Sequence, residues 1–151
     1  MLLALALVAC DNSKIPDDAL FFDVTVTATA DECHPESTEG YQETFTYAIG
    51  FEGSKATIWV GESVFAVGTI TGCDLTYSTV VFGEETENDG EIKWQLTGVA
   101  SVDPAEGDAC VEGEGDWEGT EAFEVISSAE ETLEPGCQYQ METTGNLVAG
   151  E

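Results

Sequence analysis

An alternation of apolar and polar side chains constrains the fold of this chain more than any other feature. From Phe22 to Thr29, apolar residues alternate with one aspartate and three threonines. A period of two is typical of a β-strand with one buried face, and β-branched and aromatic residues fill the similar runs that follow. Apart from one or two turns at residues 128–133, no segment has a helical period. We therefore predict an all-β domain of about eight strands, at residues 20–29, 44–49, 56–60, 64–70, 73–82, 91–96, 117–127 and 138–147.

The short connections between these strands set the predicted topology. Glycine, proline and acidic turn residues separate the strands, as in Asn88-Asp89-Gly90 and Pro135-Gly136. Short loops join antiparallel neighbours, so the strands follow one another as a meander. Eight such strands can close into a small up-and-down barrel without exposed edges, which is the fold we prefer, and a two-sheet β-sandwich is the alternative. The 151 residues suit one such domain, at residues 20–151.

The amino terminus has a different character. Residues 1–9 (MLLALALVA) form an uninterrupted apolar run of signal-peptide length, too short to span a bilayer. The run ends in Leu7-Val8-Ala9-Cys10, which resembles the lipobox of bacterial lipoproteins. This resemblance implies a cleaved signal peptide at residues 1–9, a lipid on Cys10 and a polar tether over residues 10–19. The membrane would then be a partner through that lipid, and the domain would face outward from a bacterial cell envelope, in the periplasm or at the cell surface. The alternative is a buried strand or helix over residues 1–9 with Cys10 unmodified.

Five cysteines are an odd number for a disulfide-bonded chain. Setting Cys10 aside leaves four, an even set suited to an oxidising compartment. In an up-and-down meander, Cys33 and Cys137 lie in loops at one end, whereas Cys73 and Cys110 lie in loops at the other end. Cysteines at opposite ends are too far apart to form a bridge. Of the three possible pairings, the meander therefore predicts the disulfides Cys33–Cys137 and Cys73–Cys110.

Acidic residues dominate the charge of the chain. Thirty-one Asp and Glu residues stand against three lysines and no arginine, and the formal net charge is −28. Such a surface repels phosphates, so nucleic acid is excluded as a partner. The acidic glycine-rich segment 106–121 could supply oxygen ligands for calcium, which is the one cofactor that the sequence suggests. A solvated acidic loop without metal is the preferred interpretation. The calcium candidates are Asp108, Glu112, Glu114 and Asp116.

Two carboxylates share the parity of the apolar residues in their predicted strands. Glu121 falls on the same face as Trp117 and Phe123, and Glu43 falls on the same face as Phe45. A buried carboxyl group has a raised pKa and can act as an acid or a base, so Glu43 and Glu121 are candidates for a catalytic pair. A bulge that shifts the parity, or a strand end that reaches water, would remove this role.

The sequence carries no motif for a serine hydrolase, a zinc enzyme or a phosphate-binding loop, and we expect that the protein is not an enzyme. The preferred function is a non-catalytic binding or structural module with an unidentified protein or carbohydrate partner. Trp59 falls on the polar-parity face of its short strand; burial in the core is the preferred interpretation, and an exposed Trp59 would suit such a contact. A lipocalin-like carrier of a small ligand, which requires an apolar cavity, is the second possibility. A hydrolase that uses the two carboxylates is the third.

Overall fold

The computed structural model describes residues 14–31, 33, 40–85, 90–103, 110–111, 115–129 and 135–148. This part of the chain is all-β, as the alternation predicts, and it contains no helix that could cross a membrane. Its strands are β1 Leu20–Asp31, β2 Gln42–Glu52, β3 Lys55–Val60, β4 Ser63–Thr71, β5 Asp74–Ser78, β6 Phe82–Glu85, β7 Glu91–Val102, β8 Trp117–Ser128 and β9 Gln138–Val148.

The sheet closes on itself. Strands adjacent in sequence pair antiparallel, except β5 and β6, and β1 pairs with β9 along almost its whole length. β5 pairs with β7, where Asp74 lies opposite Ser101. The result is an eight-stranded up-and-down barrel with one extra strand, β6, which confirms the predicted barrel rather than the sandwich. We call the end at which β1 begins and β9 ends the base, and the opposite end the mouth.

The strand predicted over residues 73–82 is interrupted. β5 pairs with the second half of β7 and β6 pairs with the first half, so β6 continues β5 along the same edge. Between them, residues 79–81 face only Gln95 and Leu96. The Thr79 hydroxyl accepts a hydrogen bond from the Leu96 N–H (3.0 Å), and the Thr79 N–H donates to the Leu96 carbonyl (2.9 Å). A side-chain oxygen thus replaces one main-chain acceptor, and the barrel stays closed across the break.

Large inward side chains fill the barrel towards its base. Trp117 is fully buried, and its ring centroid lies 5.6, 5.6 and 6.0 Å from those of Phe22, Tyr47 and Tyr77. The Trp117 Nε1–H donates to the Thr143 hydroxyl over 2.9 Å, which satisfies the only polar atom of the indole. Because the interior of an eight-stranded barrel is narrow, this aromatic cluster closes the base.

The segment that precedes β1 covers part of the outer surface. Trp59 lies on the outward face of β3, yet it is only 3% exposed. A Cβ atom placed on Gly50 would lie 3.0 Å from the Pro16 ring and 3.1 Å from the Trp59 ring, so both rings rest on this glycine. Part of the predicted polar tether therefore packs against the barrel. Trp59 is buried beneath a chain segment rather than between two sheets.

Both predicted disulfides are formed. Cys33–Cys137 joins the chain after β1 to the chain before β9, with Cα atoms 5.3 Å apart, and we call it the mouth bridge. Cys73–Cys110 joins the β4–β5 turn to the connection between β7 and β8, with Cα atoms 5.8 Å apart, and we call it the base bridge. The pairing confirms that cysteines at the same end of the meander meet. Two disulfides are typical of a protein from an oxidising, non-cytoplasmic compartment.

Candidate functional site

A cavity of about 300 Å³ opens at the mouth of the barrel. Side chains from β1 to β4 and from β7 to β9 form its wall, and most of them are apolar or aromatic. Tyr41, which is 59% exposed, and the exposed Glu43 stand at its rim. The remaining wall residues are Val26, Ala28, Phe45, Tyr47, Val60, Phe65, Leu96, Glu121, Phe123, Tyr139 and Met141.

On β1, the inward side chains become smaller towards the mouth. The inward residues of β1 are Phe22 and Val24 in the filled half of the barrel and Val26 and Ala28 in the cavity. The decrease in size along this strand accompanies the change from a packed interior to an open one. An eight-stranded barrel has the width to hold one small ligand where side chains do not fill it.

Glu121 lies at the floor of the cavity and is only 3% exposed. Its Oε1 atom accepts two hydrogen bonds, from the Tyr47 hydroxyl at 2.8 Å and from the Tyr77 hydroxyl at 2.6 Å. Burial raises the pKa of Glu121, and the two hydrogen bonds offset part of that rise because they stabilise the ionised form. The prediction that Glu121 points into the fold is confirmed.

The two tyrosines are neutral donors to this carboxyl group. Burial, and then the negative charge of Glu121, raises the pKa of Tyr47 and that of Tyr77 well above the ordinary value for a phenol. Both hydroxyls therefore keep their protons at neutral pH, and both direct them to Oε1. The floor of the cavity thus combines one acidic group with two neutral hydrogen-bond donors.

Gly98 allows Tyr77 to reach Glu121. The three residues lie side by side on β5, β7 and β8, because Tyr77 is opposite Gly98 and Gly98 is opposite Glu121. A Cβ atom on Gly98 would collide with the Tyr77 ring, so the ring lies directly over the glycine. The Tyr77 side chain therefore crosses β7 and meets the carboxyl group on the next strand.

Glu43, the other candidate carboxylate, faces the same cavity at its rim. It lies four residues before Tyr47 on β2, a rise of about 13 Å along the strand. The structure therefore brings both candidate carboxylates to one cavity but at different depths, with Glu121 buried and Glu43 exposed. Their action as a catalytic pair stays a prediction.

Several predicted site residues lie outside the described residues. The described calcium candidate, Asp116, accepts a hydrogen bond from the Leu147 N–H over 2.8 Å and so ties β9 to the chain before β8. In the ranges that the structure describes, no group of three or more His, Cys, Asp or Glu side chains is placed to hold a metal ion. Calcium binding and lipidation therefore stay predictions. The predicted site residues outside the described ranges are Cys10, Asp108, Glu112 and Glu114, and the predicted signal peptide at residues 1–9 lies outside them as well.

Tyr47, Tyr77 and Gly98 belong to the site although the sequence pattern did not single them out. Tyr47 carries a signal, because it has the inward parity of its predicted strand. Gly98 carries a weaker one, since a glycine within a strand often marks a close approach of another group. The contact between Tyr77 and Glu121 has no local signal, because it depends on the pairing of three strands.

Comparisons with known proteins add no family to this picture. The chain matches no protein-family model, and searches of curated proteins and of solved structures found no significant similarity. The function is therefore argued from the cavity and its residues.

Proposed function

We propose that this protein is a non-catalytic module that binds one small, mainly apolar molecule inside its barrel. The cavity at the mouth carries this proposal, because it is concave, open at one end and lined largely by apolar and aromatic side chains around a buried polar group. Small-molecule sites in proteins have this composition. The carrier alternative requires such a free interior, and for that reason we now prefer it to a surface module with a protein or carbohydrate partner.

The volume of the cavity limits the ligand. Small-molecule sites range from about 300 to 1,000 Å³, and this cavity lies at the lower limit with about 300 Å³. It suits a compact molecule or a short chain rather than a whole lipid. Aromatic side chains such as Phe65 and Phe123 offer the apolar contacts that stabilise such a ligand.

A neutral apolar fluorophore, N-phenyl-1-naphthylamine, tests the cavity directly. We expect the wild-type protein to bind one equivalent, with increased emission from the dye. Ala28→Phe places a ring inside the cavity and should abolish binding, whereas Val67→Phe adds the same ring on the outer face, where Val67 is exposed. Circular dichroism of both variants checks the fold. Equal binding by the two variants would place the dye on the outer surface and refute the proposal.

We also propose that the barrel is held at a bacterial cell envelope by a lipid on Cys10. The two disulfides support an oxidising compartment, and the lipobox-like residues 7–10 support the anchor. Mass spectrometry of the chain produced in a bacterium should find a mature protein that begins at an acylated Cys10, and Cys10→Ser should leave the membrane fraction. A wild-type chain that retains residues 1–9 would contradict the anchor.

A further inference from the structure

We propose that the ligand of this cavity is an amphipathic amine, whose apolar body fills the cavity and whose protonated amino group pairs with Glu121. This inference rests on the proposed binding function and adds the chemical class of the ligand. It is carried by a buried carboxyl group that faces a cavity and has no cationic partner among the described residues.

The cationic side chains of the chain are few and lie elsewhere. The chain has no arginine, and its three lysines, Lys14, Lys55 and Lys93, are all described and all exposed. The described partners of the Glu121 carboxyl group are two neutral hydroxyls. A buried carboxylate without a cation is costly, so a cationic group from a ligand would relieve that cost.

Among the described residues, the hydrogen bonds to Glu121 leave its Oε2 atom for one more donor. Tyr47 and Tyr77 both donate to Oε1, and neither occupies Oε2. A carboxylate accepts several hydrogen bonds, and one from a charged nitrogen is stronger than one from a neutral group. An ammonium group at Oε2 would therefore complete the site, whereas a carboxylate or phosphate group would be repelled there.

The surroundings of the cavity favour the same charge. Glu43 stands at the rim, and the net charge of −28 raises the local concentration of cations around the barrel. Aromatic rings in the wall, among them Phe65 and Tyr139, can also face an ammonium group through their π-systems. The side chains at the entrance, in the wall and at the floor of the cavity therefore all favour a cationic ligand with an apolar body.

Three ligands of equal chain length separate this inference from the binding function itself. Octylamine, octanol and octanoate are compared at physiological ionic strength by displacement of the neutral fluorophore. Octylamine should bind at least about tenfold more tightly than octanol, the factor that a hydrogen bond to a charged group supplies, and octanoate should bind most weakly. Direct calorimetric titration of octylamine into Ala28→Phe should show no binding, which excludes amine held on the acidic outer surface.

Two variants test which carboxyl group pairs with the amino group of the ligand. Glu121→Gln keeps the shape of the side chain and should remove the preference for octylamine over octanol while octanol still binds. Glu43→Gln, its matched control at the rim, should keep most of that preference and mainly reduce the salt dependence of amine binding. Equal affinity of the wild type for octylamine and octanol would overturn the amine inference and leave the apolar cavity intact. Failure of all three ligands and of the fluorophore would overturn the binding function as well.

The pH dependence in the wild type gives a measurement that needs no variant. The groups that titrate next to Glu121 are Tyr47 on β2 and Tyr77 on β5, while its pairing partners Gly98 on β7 and Met141 on β9 do not titrate. Because burial raises the pKa of Glu121, the advantage of octylamine over octanol should widen as the pH rises and this carboxyl group ionises. An advantage that stays constant over a pH series that begins below the ordinary pKa of a glutamate and extends to alkaline pH would contradict the assignment to Glu121.

Discussion

Removal of the Tyr77 hydroxyl isolates one hydrogen bond to the buried carboxyl group. Tyr77→Phe keeps the ring that lies over Gly98 and deletes only the donor that stands 2.6 Å from the Oε1 atom of Glu121. The change therefore leaves the packing of β5 against β7 in place. Any loss of stability reports the interaction between this hydroxyl and the carboxyl group.

The size of the loss depends on the charge of Glu121. A hydrogen bond between neutral groups contributes about 0.5–1.5 kcal/mol to the free energy of unfolding, and one to a charged group contributes about 1.5–3 kcal/mol. Burial raises the pKa of Glu121 in the folded chain, so its own ionisation lowers stability as the pH rises above the value for the unfolded chain. Loss of a donor that favours the ionised form raises this pKa further. Tyr77→Phe should therefore cost about 0.5–1.5 kcal/mol at low pH and about 1.5–3 kcal/mol once the carboxyl group is ionised.

Urea unfolding of wild type and variant at constant ionic strength measures this difference at two pH values, one below the ordinary pKa of a glutamate and one at which Glu121 is ionised. The strong acidic self-repulsion changes with pH in both proteins alike and cancels when they are compared at the same pH. Tyr41→Phe, at the exposed rim, is the matched control and should change stability by less than about 0.5 kcal/mol at either pH. In a Glu121→Gln background, the pH-dependent part of the Tyr77→Phe cost should vanish. A cost that is the same at both pH values in the wild-type background would refute the reasoning.

Three further changes test the barrel itself. Replacing both cysteines of the mouth bridge, 104 residues apart, with serine should lower the free energy of unfolding by about 4.7 kcal/mol. The same change at the base bridge, 37 residues apart, should lower it by about 3.8 kcal/mol. Urea unfolding that ranks the two bridges in the opposite order would contradict the loop-entropy argument. Gly98→Ala forces a methyl group into the ring of Tyr77 and should cost about 1–3 kcal/mol, and less in a Tyr77→Ala background, as a double-mutant cycle would measure. Sodium chloride should raise the thermal unfolding midpoint because it screens a net charge of −28, and a midpoint that does not respond to salt would show that self-repulsion is small.

The alternation of side chains and the short connections together predicted an all-β meander, with a barrel preferred to a sandwich, and the order of the loops predicted the two bridges. The inward parity of β1 and β8 is local information, and it placed both Phe22 and Glu121 inside. The pairing of the cysteines needed only the rule that successive loops lie at opposite ends of a meander. These features are predictable because each depends on a short segment or on the order of the strands.

Other features depend on contacts that no short segment contains. Tyr77 reaches Glu121 only because Gly98 stands between them in the register of three strands. At the break after β5, the Thr79 side chain substitutes for a main-chain acceptor, which a strand pattern does not reveal. The packing of Pro16 on the outside of β2 and β3 had no signal either, because a polar segment of this kind is equally suited to solvent.

The position of Pro16 bears on how the opening of the barrel would be oriented relative to a membrane. Pro16 rests on Gly50, which lies in the half of β2 nearest the base, so the described segment before β1 contacts the barrel closer to its base than to its mouth. Six residues from Cys10 to Pro16 extend at most about 20 Å, less than the roughly 40 Å along the twelve residues of β1. A lipid on Cys10 would thus hold the barrel with its opening turned away from the bilayer. The ligand would then bind from the surrounding water and be released into it, rather than pass into the cavity directly from the membrane.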